Sequence, residues 1–535
     1  MRTVTVKRLR KWLILSHRYA GIALSLMVVM WFATGIAMMY AGGMPRVTPE
    51  TRLERLPNLD LAGVRLTPAE AAERGLVDSP GRTLLLSIMG RPAYRFGAGD
   101  PTTVFADTGE LLEEASLAQS KTVASRFVAV PEDHVQHDRT LTTVDQWTLV
   151  QGRQLPLHKF RVDDESGTEV YVSPATGEVT MMTTRTGRAL AWISTIPHWL
   201  YFSGLRANQP LWYRIVVWSS GLVCVLAVLG LVLGVTQFRR PRRFRLQTAA
   251  PYSAWMRWHY VTGAVFGVFT LTWAFSGLLS MEPFAWTNAP GLNVRRDVFT
   301  GGSIDLAKFG AMIPAEWEHL VDGRGIKEIE LARIQDEHYY VVRLAHDPEA
   351  AKRPERLHQP YNITGRAESD RLLVSAGTLQ VRREPFSVDS LVARLHAALP
   401  DVPVVDQQLL SDYDSYYYSR ARQTPLPVLR VKFADPGETW VYVDPATSQL
   451  LAQVPRLSRV ERWLYNGLHS LDFSLWYSSR PLWDIGMLVL LLGGLATSTI
   501  GLFVGFSRVA RGVGHLVPSP PAEPVPTPSL QERDV

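Results

Sequence analysis

The stretch "SHRYAGIALSLMVVMWFATG", residues 16–35, decides the fold because it is a long apolar run with a histidine near its start. It belongs to the first of four long apolar segments, which cover residues 12–40, 211–238, 255–282 and 481–507. Each segment exceeds the roughly 20 helical residues that cross the hydrocarbon core of a bilayer. Four such segments predict four transmembrane helices rather than core helices of a soluble protein.

The basic residues indicate how these helices are oriented. They are concentrated in residues 1–11 and in the short loop at 239–254, which carries Arg239, Arg240, Arg242, Arg243 and Arg245. Positive charge in short loops marks the cytoplasmic side of a membrane. We therefore expect both termini in the cytoplasm, including a disordered Pro-rich tail within 508–535. Residues 41–187 and 283–458 are then on the other side. Because the basic residues flank apolar segments, membrane lipid is the expected partner and nucleic acid is not.

The two segments between the spans carry the pattern of small α+β domains. Four strand-then-turn sequences recur: "TTVFADTGEL" (102–111), "TEVYVSPATGEV" (168–179), "RLLVSAGTLQ" (371–380) and "TWVYVDPATSQL" (439–450). Their alternating apolar residues predict half-buried strands. Helices are predicted over 67–74, 116–127 and 386–398, which gives two α+β units per segment. The one cysteine, Cys224, excludes an intramolecular disulfide and a Cys-based metal cluster.

The chain repeats itself at two fixed offsets. An offset of 242 residues aligns "HYVTGAVFGVFTLTWAFSG" (259–277) with the opening stretch, and it pairs His17 with His259, Gly21 with Gly263, Trp31 with Trp273 and Gly35 with Gly277. An offset of 271 residues aligns two histidine-bearing segments, 188–210 and 459–480, and it pairs His198 with His469. We predict two parallel repeats, related by a pseudo-twofold axis along the membrane normal.

The four recurring histidines lie at two predicted depths. His17 and His259 begin the outgoing spans, whereas His198 and His469 precede the returning spans and fit short interfacial helices. Two symmetry-related histidines at each depth indicate two bis-histidine metal centres. Haem fits best, since its iron takes two axial imidazoles, whereas a bare zinc or copper ion would need more ligands. The chain has no C-x-x-C-H motif, so we expect two noncovalent haem b groups.

Small and aromatic residues share the helix faces of the first two histidines. At about 100° per residue, the faces carry Gly21, Trp31 and Gly35 beside His17, and Gly263, Trp273 and Gly277 beside His259. A glycine one turn from a histidine leaves space for a flat macrocycle, so we predict that these residues pack around haem. Close helix–helix packing is the alternative explanation, because small residues serve it equally well.

Several of these motifs resemble the PepSY-associated transmembrane helix family. They are "HRYAG…WFATG" (17–35), "HYVTG…WAFSG" (259–277), "GLHSLDF" (467–473) and "VYVSPATGEV" (170–179). The resemblance covers nearly the whole chain except the tail. It implies a membrane α-helical bundle of four transmembrane helices with PepSY-like α+β extracytoplasmic domains, in the bacterial inner membrane. It also implies haem ligation by His17, His259, His198 and His469. One departure is "IPHWLYF" (196–202), where the family has a Leu-His-Thr-Gly-like segment.

The resemblance also implies a function, since the family includes iron-uptake proteins and di-haem reductases of ferric siderophores. Electrons would come from a cytoplasmic reductase or quinol, and would pass the His17/His259 haem and then the His198/His469 haem. A periplasmic acceptor, such as a ferric siderophore, would be reduced. The expected protein is thus a haem-dependent ferric-chelate reductase.

Three alternatives stay open at this point. PepSY-type units also occur in peptidase inhibition and regulation, so the outer domains could bind a protein partner without redox activity. The histidines could line a proton path in a transporter, because intramembrane ionisable residues are functional candidates by default. A haem could also take its ligands from a single half of the chain, so that His17 would pair with a histidine of the outer level.

Other histidines give weaker signals. His134 and His137 in "DHVQHD" (133–138) have the spacing of a metal-ligand pair but no counterpart in the second half. We predict that they lie in a solvated surface loop. No Walker A motif is present and no G-x-G-x-x-G follows a predicted strand, which argues against nucleotide binding.

Overall fold

A computed structural model describes residues 2–238, 250, 252–287, 291–345, 371–418, 424–477 and 479–514. The arginines predicted to form the basic loop, at 239–245, lie outside the described residues. The Pro-rich tail lies outside them from residue 515 onward.

The chain divides into two compact units. The helical unit comprises Met1–Phe32, Leu222–Leu271 and Val489–Val535. The mixed unit comprises Ala33–Gly221 and Thr272–Leu488 and contains the sheets. The boundaries fall inside the long helices, so each long helix contributes to both units.

The described residues form the following α-helices: α1 (Arg2–Met38), α2 (Pro49–Arg55), α3 (Pro68–Arg74), α4 (Leu117–Val128), α5 (Arg185–Ile193), α6 (Thr195–His198), α7 (Ser203–Arg206), α8 (Gln209–Gln237), α9 (Ala254–Leu279), α10 (Pro314–Glu318), α11 (Val388–Ala398), α12 (Arg456–Arg462), α13 (Leu468–Ser470), α14 (Ser474–Tyr477) and α15 (Leu482–Gly514). A π-helical turn, Trp463–Gly467, joins α12 to α13. Short 3₁₀ turns lie at Leu61–Gly63, Glu132–His134, Gly152–Gln154, Pro283–Ala285, Arg296–Phe299 and Leu306–Lys308.

Four of these helices are long and apolar enough to cross a membrane. The spans are Lys7–Met38 of α1, Gln209–Gln237 of α8, Ala254–Leu279 of α9 and Leu482–Arg511 of α15. The four apolar segments of the sequence fall on these four helices. The protein is therefore a membrane protein with four candidate transmembrane helices.

Local capping explains where the shorter helices begin. The Ser116 hydroxyl accepts a hydrogen bond from the Gln119 backbone N–H, and the Gln119 side chain accepts one from the Ser116 backbone N–H. Such a reciprocal cap contributes about 1 kcal/mol at a helix start. Thr67 and Glu70 form the same arrangement before α3. Both helices lie where the sequence predicts them.

The described strands are β1 (Thr83–Ile88), β2 (Arg91–Phe96), β3 (Thr102–Phe105), β4 (Val135–Leu141), β5 (Leu157–Val162), β6 (Glu169–Ser173), β7 (Glu178–Thr183), β8 (Ile326–Ile334), β9 (Glu337–Leu344), β10 (Arg371–Ser375), β11 (Val404–Leu410), β12 (Val428–Phe433), β13 (Trp440–Asp444) and β14 (Gln449–Val454). They form three antiparallel sheets, with the orders β10-β9-β8-β1-β2-β3, β4-β5-β6-β7 and β11-β12-β13-β14. The four predicted strand-then-turn sequences correspond to β3, β6, β10 and β13, each followed by a turn.

The six-stranded sheet is built from both halves of the chain. Strand β1 pairs with β8 in antiparallel register, with Thr83 opposite Leu331 and Leu86 opposite Glu328. The sequence places these strands in separate segments on either side of two spans. The first α+β set of each segment therefore shares one sheet with its counterpart, whereas the second sets keep separate four-stranded sheets. Helix α4 packs on β4–β7 and α11 packs on β11–β14, each through a buried apolar core.

A buried charge cluster lies where β1 and β8 meet. Arg52 of α2 forms ion pairs of 2.8 Å with both Glu178 and Glu328, and Glu328 also pairs with Arg343 at 3.1 Å. Arg95 forms a further ion pair with Glu178. Burial opposes ionisation of Glu178, but the charges of Arg95 and Arg52 outweigh it and hold the pKa of this carboxyl below its usual range.

Candidate functional site

The helical unit brings His17 of α1 and His259 of α9 together. Their ring centres are 6.3 Å apart and the ring planes are inclined by 35°. Both side chains are half-buried. We call these two residues the first histidine pair.

The backbone fixes the tautomer of each ring in the first pair. The Nδ1 atom of His17 lies 3.2 Å from the Leu226 carbonyl oxygen, and the Nδ1 atom of His259 lies 3.0 Å from the Thr497 carbonyl oxygen. A carbonyl oxygen only accepts, so Nδ1 carries the proton and donates in both rings. The lone pair of a neutral ring is then on Nε2, which can bind a metal ion.

Two glycines make room for these imidazoles. A Cβ atom added to Gly230 would lie 2.9 Å from Cε1 of His17, and one added to Gly501 would lie 2.9 Å from Cε1 of His259. Both distances are shorter than a carbon–carbon contact allows, since the optimum is about 3.5–4.0 Å. The two rings can hold their positions only because helices α8 and α15 carry glycine there.

A cavity of about 230 Å³ opens beside the first pair. Both histidines line it, together with Gly21 and Gly263, the two glycines that the sequence analysis predicts beside a macrocycle. A Cβ atom at Gly21 or Gly263 would have its nearest neighbour at an ordinary contact distance, 3.9 or 3.7 Å. These glycines therefore widen the cavity rather than relieve a clash.

The mixed unit brings His198 of α6 and His469 of α13 together as a second histidine pair. Their ring centres are also 6.3 Å apart, and the planes are inclined by 78°. The Nδ1 atom of His198 lies 3.0 Å from the Thr34 hydroxyl, and the Nδ1 atom of His469 lies 2.9 Å from the Ser276 hydroxyl. The Ser276 hydroxyl donates its proton to the Trp273 carbonyl at 3.1 Å. It must then accept from His469 Nδ1, which leaves the lone pair of that ring on Nε2.

The predicted haem-packing residues of α9 contact the second pair. Trp273 donates its indole N–H to the His469 carbonyl at 2.9 Å. A Cβ atom at Gly277 would lie 3.7 Å from Cε1 of His469. Their counterparts Trp31 and Gly35 lie on α1. The helical period predicts all of these residues beside the first pair. The structure instead places Trp273 and Gly277 against the second pair, because they are fourteen and eighteen residues beyond His259 along the helix.

The spacing of both pairs matches that of two imidazoles bound to one metal ion. An imidazole nitrogen lies about 1.2 Å from its ring centre and about 2.0 Å from a metal ion that it binds, so two imidazoles on opposite sides have ring centres about 6.4 Å apart. Both observed spacings are 6.3 Å. Within the described residues, no group of three or more His, Cys, Asp or Glu side chains could hold an ion alone. The spacing of the two imidazoles in each pair fits a haem iron, which binds two such side chains.

The structure corrects the expectation for His137. Its side chain is exposed, as predicted, but it lies on strand β4 rather than in a loop. Its ring neighbour is His158 of β5, at a ring-centre distance of 6.0 Å, and not His134. Burial and the charge of His137 lower the pKa of His158. This cross-strand pair shares the Thr140 hydroxyl.

Sequence reasoning missed the groups that hold the four imidazoles. These are the carbonyls of Leu226 and Thr497, and the hydroxyls of Thr34 and Ser276. The two repeat offsets contain a signal for them. Thr497 is 271 residues after Leu226, and Ser276 is 242 residues after Thr34. Aligning the two halves at the offset of 242 residues shows a hydroxyl residue three positions after the repeated tryptophan in both.

The fold and the sites define a multi-pass membrane protein with two pairs of histidines in or next to its helices. The sequence profile of the family described as the PepSY-associated TM region matches residues 14–360, which is more than half of the chain. The protein therefore belongs to this family, as the motifs predict. The match includes His17, His198 and His259 and ends before His469. No curated protein gives a match to the sequence.

Proposed function

We propose that this protein transfers electrons across the bacterial inner membrane through two haem b groups and reduces a ferric siderophore on the periplasmic side. The observation that carries the proposal is the 6.3 Å ring-centre spacing in both histidine pairs. Histidines that bind a metal ion typically donate the other ring N–H to a protein oxygen. Three of the four rings do so here, to the Leu226 carbonyl, the Thr497 carbonyl and the Ser276 hydroxyl.

The residues around the first pair have distinct roles in this proposal. His17 and His259 would bind the haem iron through Nε2. The carbonyls of Leu226 and Thr497 orient the rings and raise the basicity of the ligand nitrogen. The cavity beside the pair, lined mainly by apolar and glycine residues, would hold the ring of the haem. Bound haem would supply one-electron transfer at its iron, whose potential depends on axial ligands and burial.

The contacts also support pairing across the two halves of the chain. Each acceptor and each clearance glycine in one half has a counterpart at the repeat offset in the other, as with Gly230 and Gly501. Two parallel repeats about a pseudo-twofold axis account for this recurrence. On this basis each haem takes one ligand from each half, rather than both ligands from one half.

The direction of transfer follows from the orientation that the basic flanks predict. A cytoplasmic reductase or quinol would donate electrons to the first pair, and the second pair would deliver them to the acceptor. Each ferric ion takes up one electron and becomes ferrous. Siderophores bind ferrous iron far less tightly, so the reduction releases the metal.

The optical spectrum of the purified full-length protein tests the proposal. We expect a reducible b-type spectrum, about two haems per chain, and reoxidation of the reduced protein by a ferric siderophore. His17→Ala and His198→Ala should each leave one haem per chain, and they should remove different spectral components. His396→Ala, an exposed residue of α11, is the matched control and should keep both.

Two results would contradict the proposal. A protein that lacks haem after expression with ample haem supply would favour the alternative of a membrane-anchored PepSY protein that binds a partner without redox activity. Loss of both haems from either single histidine variant would contradict the assignment of two independent centres.

A further inference from the structure

Two arginines line the cavity beside the first histidine pair. Arg18 follows His17 on α1, and Arg508 lies near the end of α15. Arg18 is close enough to Arg508 for its charge to act on that guanidinium. Within the described part of the chain, neither Arg18 nor Arg508 forms a salt bridge with an acidic side chain. Two like charges therefore share the edge of one cavity, and the described residues supply no acidic partner for them.

Such an arrangement is unfavourable unless an anion completes it. Two cations at close range repel each other, and an anion beside them relieves that repulsion. The rest of the cavity is lined mainly by apolar and glycine residues. The missing partner is thus an anion attached to a molecule whose body is apolar.

The two arginines that line the cavity lie on one side of an otherwise symmetric site. By the repeat offsets, the counterpart of Arg18 is Tyr260 and the counterpart of Arg508 is Gln237. Tyr260 donates its hydroxyl to the Gly234 carbonyl at 2.7 Å, and Gln237 accepts a hydrogen bond from Arg10. Neither counterpart carries a charge. The lining itself therefore carries positive charge on one side, which suits a ligand with anionic groups on one edge.

We propose that Arg18 and Arg508 bind the two propionate carboxylates of haem b in the His17/His259 site. This inference rests on the proposed function and deepens it. Guanidinium–carboxylate hydrogen bonds are charge-assisted and about twice as strong as neutral ones. Two symmetry-related imidazoles cannot distinguish one edge of the ring from the other. The arginines select one orientation, so the edge with the carboxylates faces Arg18 and Arg508.

A haem whose carboxylates are blocked tests this inference. Full-length protein carrying His198→Ala and His469→Ala, which isolates the first site, is purified from haem-limited cells and titrated with haem b or its dimethyl ester. The ester keeps the iron and the ring but has no carboxylate charge. We expect haem b to bind at least ten-fold more tightly than the ester. Arg18→Gln and Arg508→Gln should each weaken haem b about ten-fold and leave the affinity for the ester unchanged.

Controls and outcomes separate this inference from the proposed function. Arg511→Gln is the matched control, because Arg511 is exposed on the same helix and donates to the Ser507 carbonyl; it should change neither affinity. Unchanged ester binding shows that the variants are folded. Equal affinities for haem b and its ester in the chain with both arginines would overturn the carboxylate inference and leave the haem site supported. Failure of both compounds to bind would instead contradict the proposed function.

A lipid phosphate is the other source of an anion for these arginines. The phosphatidylglycerol that copurifies with each variant is therefore measured by mass spectrometry. We expect Arg18→Gln and Arg508→Gln to retain as much of this lipid as the unsubstituted protein. A loss of phosphatidylglycerol, together with an equal fall in haem b and ester affinity, would assign the arginines to the lipid and overturn the inference.

Discussion

Glycine positions at the first histidine pair show how an absent side chain shapes a site. A Cβ atom on Gly230 would lie only 2.9 Å from Cε1 of His17, and one on Gly501 only 2.9 Å from Cε1 of His259. In each case the same helix also supplies the carbonyl that holds Nδ1, one turn earlier. Ring position and ring tautomer are therefore set together by one short helical stretch.

Gly230→Ala should displace the His17 imidazole and weaken haem binding at the first pair about ten-fold, the scale typical of lost support around a metal ligand. Titration of the apo protein with haem measures this affinity. Gly221→Ala is the matched control, because Gly221 is on the same helix outside the cavity lining and a Cβ atom there has no neighbour within 4 Å. Equal affinities for both alanine variants would contradict a packing role for Gly230.

Ser276→Ala should weaken haem binding at the second pair about ten-fold, or shift its midpoint potential, because it removes the acceptor for His469 Nδ1. Potentiometric titration separates this centre from the first one, which should not change. Ser280→Ala is the control, since its hydroxyl donates to the Gly277 carbonyl on the same helix and does not contact His469. A shift of similar size in both variants would argue for a general effect on α9.

The sequence predicts which side chains belong to a site better than it predicts which main-chain groups bind them. Repetition at fixed offsets singles out the four histidines, and the helical period places Gly21 and Gly263 beside the cavity. A carbonyl such as that of Leu226 has no signature in the residue type, because every residue carries one. Helical period also grouped Trp273 with His259, although the length of the helix brings it to the second pair instead.

At the scale of elements, short-range signals predict the helices and strands but not the strand partners. Caps such as Ser116 mark helix starts, and alternation marks strands such as β3 and β6. Alternation of apolar and polar residues does not show which strand pairs with which. The pairing of β1 with β8 joins residues more than 240 positions apart. Only packing of the whole sheet and its buried charges specifies that partner.

Glu178→Gln should destabilise the mixed unit by about 3–5 kcal/mol at neutral pH, because it leaves Arg52 and Arg95 without a buried counter-charge. Calorimetry or chemical unfolding of the purified protein measures the change. Glu110→Gln is the control, since its pair with Arg91 is exposed and contributes less than about 1 kcal/mol. Similar losses in both variants would contradict a special role for the buried cluster.

The Glu178 carboxylate should also make the stability of the fold fall in acid. The pKa of Glu178 is held below its ordinary value in the folded protein, and that ordinary value is about 4.3 for a glutamate in an unfolded chain. Its ion pairs therefore contribute fully above about pH 4.5, and their contribution is lost as the pH falls below that value through the folded pKa. Unfolding temperatures measured from pH 7 to pH 3 should fall more steeply for the unsubstituted protein than for Glu178→Gln. Parallel curves would show that other groups cause the acid sensitivity.

At the scale of the whole molecule, each histidine pair is complete within one compact unit. His17, His259 and the carbonyls that orient them belong to the helical unit, whereas His198, His469 and their hydroxyl partners belong to the mixed unit. The residues that hold one pair are therefore different from those that hold the other. This separation is the physical reason to expect one haem, not none, after a single histidine substitution.

Membrane orientation decides whether the proposed acceptor lies on the correct side, and a single cysteine makes it measurable. Cys224→Ala removes every thiol from the chain, after which Glu113→Cys or Ser529→Cys adds one reporter. Glu113 is exposed and lies between the first two spans, and Ser529 lies in the tail. The basic flanks predict that a membrane-impermeant maleimide labels the first reporter in intact spheroplasts. It should label the second only after the membrane is opened. The reverse pattern would put the sheets in the cytoplasm, where a periplasmic ferric siderophore could not reach them.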